Sequence, residues 1–77
     1  MKRNGKNRFA LCLNNSDYEA SLELGKLYQV LPDPKAAKHA LIRVIDESGE
    51  DYLYPEDWFH PVKLPSSVQQ VLVDAAA

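Results

Sequence analysis

Short apolar runs alternate along the chain with polar breaks marked by proline, glycine or asparagine, and the runs are the length of strands. Residues 9–13 (Phe-Ala-Leu-Cys-Leu) form an apolar stretch bounded by Asn14 and Asn15, which reads as a buried strand. Residues 14–25 follow, mixing Asp17, Glu19 and Glu23 with Leu22 and Leu24 and closing at Gly25. A loop of that length in a small domain is expected to be functional or to be packed by its own apolar side chains. Residues 26–31 (Lys-Leu-Tyr-Gln-Val-Leu) are the clearest strand, with the aromatic and β-branched residues that favour a pleated surface.

Pro32-Asp33-Pro34 stops that strand. Asp33 suits a helix N-cap and Pro34 a first helical position, so one helical turn is expected through Lys35-Ala36-Ala37-Lys38. Residues 40–45 and 50–54 read as the third and fourth strands, joined by a hairpin turn at Asp46-Glu47-Ser48-Gly49. Gly49 there supplies the positive φ of a bulged loop. Pro55 has no N–H to give a ladder and ends the fourth run. Pro55-Glu56-Asp57-Trp58 fits one tight helical turn before a fifth strand over residues 59–64, where Pro61 calls for an edge position. Beyond Pro65, Ser66 or Ser67 can cap a short helix whose Val68, Val71, Leu72 and Ala75 fall on one face. A helix of about ten residues is too short to stand alone, so it docks or frays.

These elements total one small domain: 77 residues, 45% hydrophobic and 26% charged, a globular composition that excludes a disordered or low-complexity chain. The net charge of −2 is unevenly spread. Residues 1–8 hold four of the nine basic residues (Lys2, Arg3, Lys6, Arg8) and no acid, leaving five basic and eleven acidic residues beyond them. A body of charge −6 is a poor general surface for nucleic acid, which is bound through basic groups. The basic head, interleaved with Asn4, Gly5 and Asn7, is expected to be a disordered terminus. With no apolar run near ~20 residues and no signal-peptide pattern, the chain is expected to be cytoplasmic, where the lone Cys12 is ordinary.

Several short motifs follow one another in a particular order. They are Ala10-Leu11; Leu22-Glu23-Leu24-Gly25-Lys26-Leu27-Tyr28-Gln29-Val30-Leu31; Glu47-Ser48-Gly49; and Pro55-Glu56-Asp57-Trp58-Phe59. In that order they resemble the first strand, the long-loop-to-second-strand stretch, the distal hairpin and the last turn of the Src homology 3 domain. The likeness spans residues 9–64 and implies an all-β, five-stranded Src-homology-3-like barrel, here followed by a short C-terminal helix over residues 65–77. The runs 25–33 and 41–55 also resemble a small bacterial family without assigned function, which adds no chemistry. The ligand groove of the Src homology 3 domain is an aromatic platform. Cys12 and Asn14 stand where its first-strand tyrosines would fall, and Leu41 or Ile42 where its tryptophan would. Only Pro55 and Trp58 match groove positions, so polyproline recognition is not implied.

Trp58, with Tyr54, Pro55 and His60 beside it and Tyr18 in the long loop, is the candidate partner-binding surface. Tryptophan anchors interfaces, but it equally plugs the end of a small barrel, and the sequence leaves both open. Asp46, Glu47, Glu50, Asp51, Glu56 and Asp57 lie in twelve residues without a basic one. Their spacing is not that of a calcium loop, so they are expected to form a solvated hairpin that discourages edge pairing. Cys12 sits inside an apolar run, as a small hydrophobe does. Neither His39 nor His60 has the paired spacing of a zinc site. No catalytic, cofactor-binding or metal-binding residue is therefore assigned. The expectation is a non-enzymatic binding module for a protein or peptide. The alternatives are a nucleic-acid-binding small barrel using the basic N-terminus, or a structural or regulatory subunit pairing through the C-terminal helix.

Overall fold

Five antiparallel strands form one open sheet, and a helix follows them at the C-terminal end. The structure, a computed structural model, describes residues 9–76, so the basic head 1–8 lies outside the described residues. The strands are β1 (Phe9–Cys12), β2 (Leu27–Leu31), β3 (Leu41–Ile45), β4 (Asp51–Pro55) and β5 (Phe59–Val62). A helical turn α1 (Pro34–Ala37) separates β2 from β3, a 3-10 turn Glu56–Trp58 separates β4 from β5, and α2 (Ser66–Ala76) closes the chain. The order across the sheet is β4-β3-β2-β1-β5, which leaves β4 and β5 as its edges. β2 serves two partners. Leu27 to Gln29 pair with Leu11 to Phe9, and Val30 and Leu31 pair with Val44 and Arg43.

Strand alternation sends Ala10, Cys12, Tyr28, Val44, Tyr54 and Phe59 into a common core, with Val30, Ile42 and Trp58 packed partly against it. Leu22 joins them from the long loop and is 0% exposed. The loop is tied down by its own backbone and side chains. Asn15 Nδ2 donates to Leu22 O at 2.9 Å, the Ser21 and Leu22 N–H groups donate to Tyr18 O at 2.9 Å, and Gly25 N donates to Cys12 O at 2.8 Å.

The helical turn forms as its sequence predicts. Asp33 Oδ1 accepts from Ala36 N at 3.0 Å, and Pro34 opens α1. The hairpin is a three-residue loop closed by Gly49 N to Asp46 O at 3.0 Å and Asp46 N to Glu50 O at 3.1 Å. Gly49 has φ +85, and no atom lies within 4 Å of where a Cβ would stand. Gly49→Ala therefore meets backbone strain alone and should cost about 1 kcal/mol. An unchanged denaturation midpoint would refute the assignment.

The strand boundaries differ from expectation by a residue or two: β1 ends at Cys12, β2 starts at Leu27 and β4 at Asp51. β3 starts at Leu41 because Ala40 turns left-handed (φ 58) after α1, with its C=O accepting Glu56 N at 2.9 Å. β4 runs on to include Pro55, which an edge strand tolerates, and β5 stops at Val62. The helix differs more. Its inward side is Gln69 (4% exposed) with half-buried Leu72 and Val73, whereas Val68 and Val71 are exposed. Of the expected apolar face Val68, Val71, Leu72 and Ala75, only Leu72 turns inward, and the other three are exposed. Gln69 Nε2 donates to Leu64 O at 2.7 Å, which holds the glutamine side of the first turn inward. Among the described residues no helix is long and apolar enough to cross a membrane.

Candidate functional site

Three of the expected site residues meet. Tyr18 is presented by the long loop just after Asp17, whose φ of 68 turns the chain. Its N–H donates to Asn15 O at 2.8 Å, while Asn14 Oδ1 accepts from both the N–H and the hydroxyl of Ser16 at 2.9 Å. The Tyr18 ring stands edge-on to Tyr54 at 5.4 Å and to Trp58 at 5.8 Å, and Tyr54 and Trp58 are roughly stacked at 6.3 Å. Offset and edge-on geometries of this kind are the favourable ones for aromatic pairs. Trp58 is half-buried, so it is both a core neighbour and a surface residue, while Tyr18 keeps 48% of its surface exposed.

Next to these rings lies a cleft of about 290 Å³ lined by Tyr18, Ser21, Asp46, Ser48, Tyr52, Leu53 and Tyr54. Asp46, read from the sequence as part of a solvated hairpin, is 5% exposed. Its Oδ1 accepts from Ser48 N at 2.9 Å and Ser48 Oγ at 2.5 Å, and its Oδ2 accepts from Tyr54 OH at 2.6 Å. Burial works to raise the Asp46 pKa, but the Ser48 and Tyr54 hydrogen bonds outweigh it and hold the carboxyl below its ordinary value. Tyr54 is pushed up to about 12, first by burial and then by its bond to Asp46. At neutral pH the pair is thus a carboxylate and a neutral phenol.

The rest of the acidic run is also more structured than expected. Glu47 Oε2 accepts from Lys26 Nζ at 2.6 Å and from Tyr28 OH at 2.5 Å, and the Glu47 N–H donates to Ser21 O at 2.9 Å. These bonds dock the hairpin onto the end of the long loop. The Lys26 and Tyr28 hydrogen bonds lower the Glu47 carboxyl, while burial, followed by the Glu47 bond, raises the Tyr28 hydroxyl. Asp51 accepts from Arg43 Nη1 at 2.9 Å, and Arg43 Nε also donates to Asp33 at 2.8 Å. Glu50, Glu56 and Asp57 are the exposed remainder.

Pro55 and His60 do not line the cleft. Pro55 pairs with Leu41 at the end of β4. His60 is exposed beside buried Phe59, and alternation puts it on the other face of β5. Ser21, Asp46, Ser48, Tyr52 and Leu53 were not foreseen. The Asp-x-Ser spacing at the start of a turn was the available signal for Asp46 and Ser48, since such aspartates bond the backbone two residues on. Cys12 is 1% exposed, its thiol donates to Asn14 O at 3.4 Å, and burial raises its pKa. His39 is exposed, and among the described residues no three His, Cys, Asp or Glu side chains are grouped to hold a metal ion.

In comparisons with family models, curated proteins and solved structures, nothing matches this chain.

Proposed function

We propose that the domain is a non-enzymatic binding module for a protein or peptide, built on a Src-homology-3-like small barrel. What supports the fold reading is the strand order β4-β3-β2-β1-β5, the long loop between the first two strands and the 3-10 turn before the last. The observation that carries the functional reading is Tyr18. The long loop lays this ring against Tyr54 and Trp58 while leaving 48% of it open beside a cleft. A half-exposed aromatic held by backbone hydrogen bonds loses little entropy on contact, which is how interface anchors work.

The test is chemical-shift mapping of the full chain against a partner recovered by crosslinking. The footprint should centre on Tyr18 and on residues 54–58, and Trp58→Phe should weaken binding several-fold with little change in melting temperature. Exposed Val68 and Val71 favour one second reading, subunit pairing through α2. A footprint confined to that helix would replace the first reading with it. Binding of nucleic acid that needs residues 1–8 and falls steeply with salt would replace both.

A further inference from the structure

We infer that the outer edge of β4 takes an extended, basic peptide segment as an added strand, with one cationic side chain seated in the cleft between Tyr18 and Tyr52. This rests on the binding-module reading and gives the partner its chemistry.

The direction of each main-chain group on β4 follows from two hydrogen bonds at the strand ends. Asp46 N donates to Glu50 O at 3.1 Å, and Glu56 N donates to Ala40 O at 2.9 Å. Antiparallel pairs alternate between those that exchange hydrogen bonds and those that do not. With Leu41↔Pro55 through Ile45↔Asp51 in register, Tyr52 and Tyr54 must exchange bonds with Val44 and Ile42. Asp51, Leu53 and Pro55 then turn their main-chain groups outward. Pro55 has no N–H, so the usable edge is the N–H and C=O of Asp51 and of Leu53. Among the described residues β4 has no strand on that side, and no loop bonds these groups.

The opposite edge is closed. Leu13 N donates to Trp58 O at 2.7 Å, which sets the phase of β1 and β5 and turns Pro61 outward, where it has nothing to donate. β4 therefore offers the better edge for strand addition, and the cleft lies along it, with Leu53 in its wall.

Charge selects the occupant. Asp46 lies in the cleft, and Glu50 and Asp51 are exposed at its hairpin end. Among the described residues Lys26 is engaged with Glu47, and Arg43 with Asp33 and Asp51. A second copy would bring the same acidic run to this edge and no added cation. A lysine or arginine meets Glu50, which has no ion pair among the described residues, and the half-exposed faces of Tyr18 and Tyr52. At about 290 Å³ the cleft falls just under the range of small-molecule pockets, and it suits one side chain of a peptide whose backbone supplies the remaining bonds.

The probe is a short, end-blocked peptide alternating lysine and valine, titrated into the full chain. Shifts and amide protection should centre on Asp51 and Leu53. N-methylation of the peptide nitrogens on its pairing side should weaken binding about tenfold. The glutamate counterpart should not bind. Leu53→Pro removes an outward N–H without touching the β3–β4 ladder, so it should keep the fold and lose binding by a similar factor, while Leu53→Thr keeps both. Equal binding of the N-methylated peptide would overturn strand addition in favour of unspecific charge attraction. So would dimerisation of the chain through β4. A footprint on Tyr18 and Trp58 indifferent to N-methylation would sink strand addition and leave the binding-module reading intact. Edge binding unaffected by Trp58→Phe would do the reverse for the Trp58-centred surface.

Discussion

Leu22→Ala should cost about 3 kcal/mol, the usual loss for emptying a fully buried leucine site. That is a large share of the stability of a chain this short, roughly 4–12 kcal/mol at the usual value per residue. Leu22 is 0% exposed and fills the same core as Ala10, Cys12, Tyr28, Val44, Tyr54 and Phe59, although it belongs to a loop. Its N–H donates to Tyr18 O and its C=O accepts from Asn15 Nδ2, both at 2.9 Å. Emptying its site therefore loosens the segment that presents Tyr18, and partner binding should fall together with the denaturation midpoint. Leu24, two residues on, is 57% exposed, and Leu24→Ala should stay within about 0.5 kcal/mol. Equal midpoints for the two variants would mean that the loop does not dock through Leu22.

That contrast marks where the sequence stops being readable. The strands were legible because alternation and chain breaks are local. Phe-Ala-Leu-Cys-Leu before Asn14 (one residue longer than the strand), Asp33-Pro34 at a helix start, Gly49 in its turn and Pro61 on an edge each act through their own backbone. Leu22 and Leu24 look alike in a loop without periodicity, and only the tertiary fold chooses between them. Asp46 was hidden for a related reason. Six acids within twelve residues read as solvent-facing, yet the donors that stabilise this one in the interior come from Ser48 and from Tyr54 on the returning strand. Of the helix face only Leu72 turns inward, and Gln69, which donates to Leu64 O, stands buried where an apolar stripe gives no hint of it. Of the site, the sequence brought Tyr18, Tyr54 and Trp58 to notice, but the cleft beside them is assembled by the hairpin and could not be seen in any one segment.

Asp46→Ala should cost about 3 kcal/mol, because it leaves the Tyr54 hydroxyl buried without its acceptor and removes two further bonds from Ser48. The same contact makes stability depend on pH at both ends of the scale. The Asp46 carboxyl is held below its ordinary value in the folded chain, so its contribution is complete above about pH 4, the unfolded aspartate value. It is lost as the pH falls through the lower, folded value. Glu47 and Asp33 are shifted in the same direction but lie at the surface, where solvent screens their pairs, and they add little. Tyr54 works in the opposite sense. Its folded value of about 12 exceeds the unfolded tyrosine value of about 10, so its share is intact below pH 10 and disappears as the pH rises toward 12. Asp46→Asn removes the acid-side linkage outright, and the stability gap between wild type and this variant should narrow below about pH 4. Tyr54→Phe should remove its own share of the alkaline limb, Tyr28 keeping the rest, while leaving Asp46 its two Ser48 bonds, so its loss at neutral pH should be the smaller of the two. Denaturant midpoints of wild type and Asp46→Asn that run parallel through the acid range would show that Asp46 is not ionised in the fold, and that the hairpin is held in some other way.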